Sequence, residues 1–278
     1  MKQETILVVG ASGTIGSELV RLLKAEGHNV RETTSRRDQT TKAYLDVRTG
    51  EGIKAAFEGI ERAFLLSPAG FADQQKVLSP LIQEAKRRGL KKVVLMTAMG
   101  VNANEESPLR KAEVELEKSG LNYNILRPNW FMQNFNTFWL ETILKQNKIL
   151  LPAGQAKTSF IDGRDISAVA AKLLTTEAFA NRAFDLTGSE ALDHDEVASL
   201  IAKASGKPVK YEEITPEAFK AGLVGAGLPE DYANVMLMII SFLREGYAAR
   251  VEPSVKEILG REPLKFERYA NDFKKAWA

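Results

Sequence analysis

An apolar run from Ile6 to Val9 passes directly into Gly10-Ala11-Ser12-Gly13-Thr14-Ile15-Gly16, and that turn opens a helical pattern stopped by Gly27. Three glycines at this spacing constrain the chain more than any other feature. The strand must become a helix within a few residues, the backbone must come close to whatever lies over the turn, and the helix must pack tightly on the sheet. A Cβ would obstruct each of these. The free N–H groups and positive dipole end of the helix starting near Gly13 then suit a pyrophosphate. As a bare pattern three glycines are weakly specific, but at a first strand-to-helix junction they mark a dinucleotide turn. Gly10, Ser12, Gly13, Thr14, Ile15 and Gly16 are therefore candidate cofactor-binding residues.

The pattern that follows supports this context. Strands are expected at Ile6 to Val9, Asn29 to Thr34, Ala43 to Leu45, Ala63 to Leu66, Lys92 to Met96 and Tyr123 to Leu126. Helices fit between them, at Gly13 to Glu26, Gly52 to Phe57, Asp73 to Arg88 and Pro108 to Lys118, three of them followed by glycine stops. Such alternation builds an α/β, Rossmann-type doubly wound parallel sheet. After Pro128 the aromatic residues Trp130, Phe131, Phe135, Phe138 and Trp139 crowd into one expected helical stretch. The chain then returns to the sheet with a strand at Phe160-Ile161, a helix at Arg164 to Leu174 and a strand at Ala183 to Leu186, before a mostly helical C-terminal lobe with one short strand near Val209 to Tyr211. The expected division is a dinucleotide-binding domain at 1–130, with 157–190 returning to the sheet, and a smaller substrate lobe at 131–156 and 191–278.

Composition excludes several function classes. The 278 residues are 44% hydrophobic and 27% charged, with a net charge of +2 and scattered basic residues, so no stripe for a nucleic acid is present. There is no cysteine, hence no disulfide, thiolate metal site or cysteine nucleophile. The only histidines, His28 and His194, lack a second imidazole at ligand spacing; both read as surface residues, and no metal is expected. No apolar run has the length of a membrane span, and no signal peptide is visible, so a cytoplasmic location is expected.

The second strand should end about 20 residues after the last glycine of the turn, where an acidic side chain grips the ribose of NAD. Here the sequence is Thr33-Thr34-Ser35-Arg36-Arg37, and the nearest carboxylate, Glu32, sits too early. Ser35, Arg36 and Arg37 suit a 2′-phosphate, so NADPH (NADP) is expected over NADH, against the plainer reading of a solvated basic loop. Asp46-Val47 follows the third strand, where a carboxylate reaches an adenine amino group or equally well caps the next turn. Ser67-Pro68 and Thr97-Ala98-Met99 end the fourth and fifth strands, and carboxyl ends of strands are where open α/β sheets bind ligands.

Together with the glycine turn, Ser67-Pro68, Lys111-Ala112-Glu113 and Leu121 to Pro128 resemble the NmrA-like branch of the atypical short-chain dehydrogenases/reductases. Phe160-Ile161-Asp162, Arg164-Asp165-Ile166 and Leu259 to Pro263 extend the resemblance over nearly the whole chain. That family contains NAD(P)H-dependent quinone and triphenylmethane-dye reductases, isoflavone-reductase-like enzymes, and regulators that bind the dinucleotide without turnover. By this resemblance Lys111 matches the lysine that holds the nicotinamide ribose and is the candidate catalytic residue; spacing alone reads it as a surface lysine. Four residues earlier stands Ser107, where a Tyr-x-x-x-Lys pair has its proton-donating tyrosine.

Pro128 and Asn129 leave the sixth strand where the nicotinamide is expected. With Met99, the residues Trp130, Phe131, Met132 and Asn134 would line an apolar substrate pocket, with Asn129 and Asn134 as polar handles. Core packing is an equal reading for Phe135, Phe138 and Trp139, and the favoured one for Met236, Met238 and Phe242. The expected function is an NADPH-dependent oxidoreductase for a small quinone-like or other conjugated hydrophobic acceptor, acting as a monomer or homodimer. The alternative is a dinucleotide-binding redox sensor without turnover, for which Ser107 is the main argument; an epimerase leans on the same absent tyrosine.

Overall fold

The computed structural model describes residues 4–278. Its strands are β1 (Thr5–Val8), β2 (Asn29–Thr34), β3 (Ala43–Tyr44), β4 (Arg62–Leu66), β5 (Lys92–Met96), β6 (Tyr123–Pro128), β7 (Lys148–Leu151), β8 (Arg182–Leu186) and β9 (Lys210–Glu213). Its helices in the first half are α1 (Thr14–Ala25), α2 (Ile53–Ala56), α3 (Gln74–Arg88) and α4 (Pro108–Glu117). They continue with α5 (Leu140–Gln146), α6 (Gly163–Thr175), α7 (His194–Ser205), α8 (Pro216–Gly225), α9 (Glu230–Arg244), α10 (Ser254–Leu259) and α11 (Phe266–Phe273).

Seven strands form one sheet in the order β3-β2-β1-β4-β5-β6-β8, and β7 pairs in parallel with β9. The pairs from β3 through β6 all run parallel, as alternation with helices requires. The order reverses at β1, between β2 and β4, which is the switch point where a doubly wound sheet opens a crevice at its carboxyl edge. This is the Rossmann-type fold that the alternation predicts.

Packing divides the chain into two compact units. One holds the residues up to Pro128 together with Ile166–Asp185, and the other holds Asn129–Asp165 with Leu186–Ala278. The first core lies on one face of the sheet, where Leu7, Val9, Leu65, Val93, Leu95 and Ile125 meet Phe57, Leu78, Leu81 and Leu116. Near-continuous apolar strands follow from a sheet covered on both faces. The second core is aromatic: Phe135 contacts Trp139, Phe160 and Phe266, and Tyr269 contacts Phe266, Phe273 and Trp277.

Three expectations change. The stretch from Trp130 to Trp139 is not one helix: only a 3-10 turn, Met132–Asn136, forms before α5. Thr137 ends it, with its hydroxyl donating to the Gln133 carbonyl at 2.8 Å, a side-chain bond that competes with helix propagation. Phe160-Ile161 is no strand either, since Ile161 makes only an isolated bridge to Phe131. Finally, His194 is fully buried rather than at the surface. It is the first residue of α7 after the capping box of Asp193 and Glu196, and it shares an inward face with Val197, Ala198 and Ile201. Its ring lies 5.5 Å from Phe160 and 5.4 Å from Tyr211, centroid to centroid, and neither nitrogen has a hydrogen-bond partner among the described residues. Burial lowers its pKa to about 4.

Candidate active site

The turn after β1 has the backbone geometry that its glycines imply. Gly10 adopts a φ of +73°, in the left-handed region that favours glycine. A Cβ at Gly16 would stand 2.2 Å from the Gly10 carbonyl oxygen, so only glycine lets α1 approach the turn this closely. The Gly10 N–H donates to the Thr33 hydroxyl at 3.2 Å, which donates in turn to the Val8 carbonyl, tying the turn to the end of β2. Gly13 is the N-cap of α1 without a capping side chain, and the first turn contains no acidic residue. Ser12, Gly13 and Thr14 are exposed, whereas the Ile15 side chain is buried, leaving only its backbone available to a ligand.

At the tip of β2, Ser35, Arg36 and Arg37 are exposed. The two arginines differ. Arg37 donates to both oxygens of Glu51 at 2.6 Å and lies 4.3 Å over the Tyr44 ring. The Arg36 guanidinium makes no hydrogen bond or ion pair with a described residue, and its N–H is held by the Thr34 hydroxyl at 3.1 Å. Glu32 is bound to Lys24 and Lys42, and the Lys24 hydrogen bond before all holds its carboxyl below the usual range. Asp46 accepts the Arg48 N–H at 2.9 Å and so caps its own turn, while Val47 is half-buried against the first core.

The carboxyl ends of β4, β5 and β6 bring Ser67, Pro68, Thr97, Ala98, Met99 and Pro128 to the same sheet edge. Met99 donates its N–H to the Pro128 carbonyl at 3.0 Å. Thr97 is buried, and its hydroxyl donates to Glu113 at 2.6 Å. Glu113 itself is completely buried in α4. It accepts two bonds from Arg127 of β6, at 2.9 and 2.6 Å, and one from Arg110 at 3.1 Å. This ion pair locks α4 onto β5 and β6, and so fixes Lys111, two residues before Glu113. The Lys111 ammonium lies 2.7 Å from the exposed Glu106 and borders a groove with Gln75, Ser79 and Glu115. Ser107 accepts the Lys111 N–H through its backbone carbonyl.

Residues from Asn129 onward belong to the second unit. The buried Asn129 amide is fully used as a donor, giving hydrogen bonds at 2.8 Å to both the Ser159 hydroxyl and the Ala248 carbonyl. Trp130 is half-buried and stacks on Trp139. Phe131 and Asn134 are half-buried, but Met132 is 1% exposed and belongs to the core, because the 3-10 turn directs it inward. Among the expected packing residues, Met236 does contact that core, whereas Met238 and Phe242 are about half exposed. Among the described residues no cluster could hold a metal, and no helix is long and apolar enough to cross a membrane.

The sequence profile of the NmrA-like family matches residues 2–270. The chain belongs to the NmrA-like family. Among curated members and relatives, this NmrA-like chain is 34% identical to a protein named NAD(P)H azoreductase from Xenophilus azovorans over 281 residues, covering 95% of this chain and 96% of the relative. Among solved structures it is similar to the Citrobacter triphenylmethane reductase complexed with NADP(H), with a TM-score of 0.82 at 18% identity over 97% of this chain and 99% of that one. A quinone oxidoreductase from Escherichia coli, solved with NADPH, gives a TM-score of 0.80 at 20% identity, over 96% and 99% of the two chains. At such identities the structural likeness establishes the fold. The roles of Glu113 and Arg127 were within reach of the sequence only as motif letters, because their pairing needs β6 beside α4.

Proposed function

We propose that this NmrA-like protein is an NADPH-dependent oxidoreductase that reduces a quinone-like or other conjugated hydrophobic acceptor. In this reading the first unit binds the dinucleotide and the second provides the acceptor lobe. The observation that carries it is the turn at Gly10 to Gly16, where only glycine at position 16 lets α1 close onto the backbone of the turn and the first turn of α1 has no capping side chain. Arg36 has a guanidinium without another partner among the described residues, ready for a 2′-phosphate, and Arg37 adds charge from its fixed place over Tyr44.

When bound, the nicotinamide supplies the hydride, and the chain's own residues position and orient. Lys111 leaves its exposed partner Glu106 to hold the ribose hydroxyls, with α4 kept in place by Glu113 and Arg127. Ser107 is a much poorer proton donor than a tyrosine. A quinone, whose reduced oxygens take protons from water, therefore fits this site better than an isolated carbonyl.

The test is a fluorescence titration of NADPH and of NADH into the purified protein, followed by addition of a panel of quinones. The expected result is binding of NADPH about tenfold or more tighter than NADH, the lower end of one charge-assisted contact, and quinone-dependent loss of nicotinamide absorbance. Binding without consumption across the panel overturns the reductase reading in favour of a redox sensor, which Ser107 in place of tyrosine favours.

A further inference from the structure

We propose that Glu51 supplies, from the turn after β3, the carboxylate that the tip of β2 lacks, so that the site takes NADH as well as NADPH; this rests on the dinucleotide role given above to the turn from Gly10 to Gly16. An acidic side chain at the end of β2 accepts from the ribose hydroxyls of NAD, and here Ser35, Arg36 and Arg37 stand in its place. The fold makes up the difference. Both carboxylate oxygens of Glu51 accept from Arg37 Nη2 at 2.6 Å, which puts the carboxylate one hydrogen bond away from the tip of β2. Arg37 is held from a second side as well, with its guanidinium 4.3 Å over the Tyr44 ring.

The backbone that carries Glu51 is clamped. The Asp46 N–H donates to the Glu51 carbonyl at 3.0 Å, the Gly50 N–H to the Asp46 carbonyl at 2.9 Å, and the Glu51 N–H to the Thr49 hydroxyl at 3.2 Å. A Cβ at Gly52 would stand 2.2 Å from the Tyr44 carbonyl oxygen, so only glycine lets this turn close on β3. The turn that carries Asp46, the candidate for the adenine, therefore carries Glu51 too. The two side chains of the pair have complementary chemistry, because a guanidinium only donates and a carboxylate only accepts. A 2′-phosphate takes Arg36 and draws Arg37 off Glu51, whereas a 2′-hydroxyl donates to Glu51. The carboxylate has about four acceptor positions, and Arg37 fills one on each oxygen, so the hydroxyl binds without breaking the pair. With side chains 68% and 54% exposed, the pair contributes little in water, and exchanging it for a phosphate costs little.

The experiment is calorimetric titration of NAD+ and of NADP+ into the wild type, Glu51→Gln and Arg37→Ala, with no acceptor present. Glu51→Gln is expected to weaken NAD+ binding about fivefold, because a neutral amide accepts less strongly from the ribose, and to tighten NADP+ about two- to threefold, because Arg37 is released and no carboxylate faces the phosphate. Arg37→Ala is expected to act in the opposite sense, tightening NAD+ about twofold and weakening NADP+ about threefold. A merely structural role would shift both cofactors together. NAD+ affinity unchanged in Glu51→Gln, both cofactors shifted the same way, or a wild type that binds NADP+ alone overturns the assignment and leaves the proposed NADPH-dependent function standing. A wild type that binds neither removes the dinucleotide reading and this one with it. Opposite shifts without quinone-dependent consumption of NADPH keep the role of Glu51 and remove the reductase reading.

Discussion

Replacing Arg127 with methionine removes one side of the ion pair that holds α4. Glu113 is fully buried and would keep only the Thr97 hydroxyl and Arg110 as donors. Two charge-assisted bonds are lost, each about 1.5–3 kcal/mol, and breaking a buried pair from one side costs about 3–5 kcal/mol. Arg110 remains nearby, although Glu105 and Glu117 share it, so the loss should fall near the lower end, about 3 kcal/mol. Urea unfolding measures it as a lower midpoint at constant slope. The double variant Glu113→Leu with Arg127→Met removes both charges of the pair and should recover most of the loss, since apolar residues of similar size substitute well for a buried pair. A single variant that loses less than about 1 kcal/mol, or a double variant as unstable as the single, refutes the argument that unpaired burial sets the cost.

Gly16→Ala places a Cβ 2.2 Å from a backbone oxygen that cannot rotate away, so NADPH affinity in the fluorescence titration should fall by about tenfold or more, together with a lower melting temperature. Arg36→Ala should reduce the ratio of NADPH to NADH affinity by about tenfold, and Arg37→Ala by less, because Arg37 already serves Glu51; equal effects in binding assays would contradict this division. For His194, burial sets the folded pKa at about 4 against about 6.5 in the unfolded chain, so the unfolded chain takes up the proton first as the pH falls. Stability is then complete above pH 6.5 and declines by roughly 3 kcal/mol toward pH 4. His194→Phe should flatten urea stability measured across that window, and an unchanged slope would count against the buried neutral imidazole.

How much of the molecule was legible follows from the range of the physics involved. The glycine turn and the alternation of strands and helices up to β6 depend on local demands, a backbone angle, a missing Cβ and an alternation of periods, and these are written in consecutive residues. His194 shows where residue type misleads: its spacing to Val197, Ala198 and Ile201 is the period of a buried face, yet its polarity argues for the surface, and packing prevailed. Helix α9 fails in the opposite sense. Met238 and Phe242 share its apolar period, and the sequence does not tell which apolar face the rest of the chain will cover. Charge obeys the same rule. Arg36 and Arg37 are equivalent as letters at the tip of β2, but only a fold that brings Glu51, fourteen positions on, beside Arg37 distinguishes a committed guanidinium from a free one. Cofactor choice should therefore depend on Arg36 more than on the pair, because an arginine that must surrender a carboxylate to bind a phosphate gains only the difference between the two contacts.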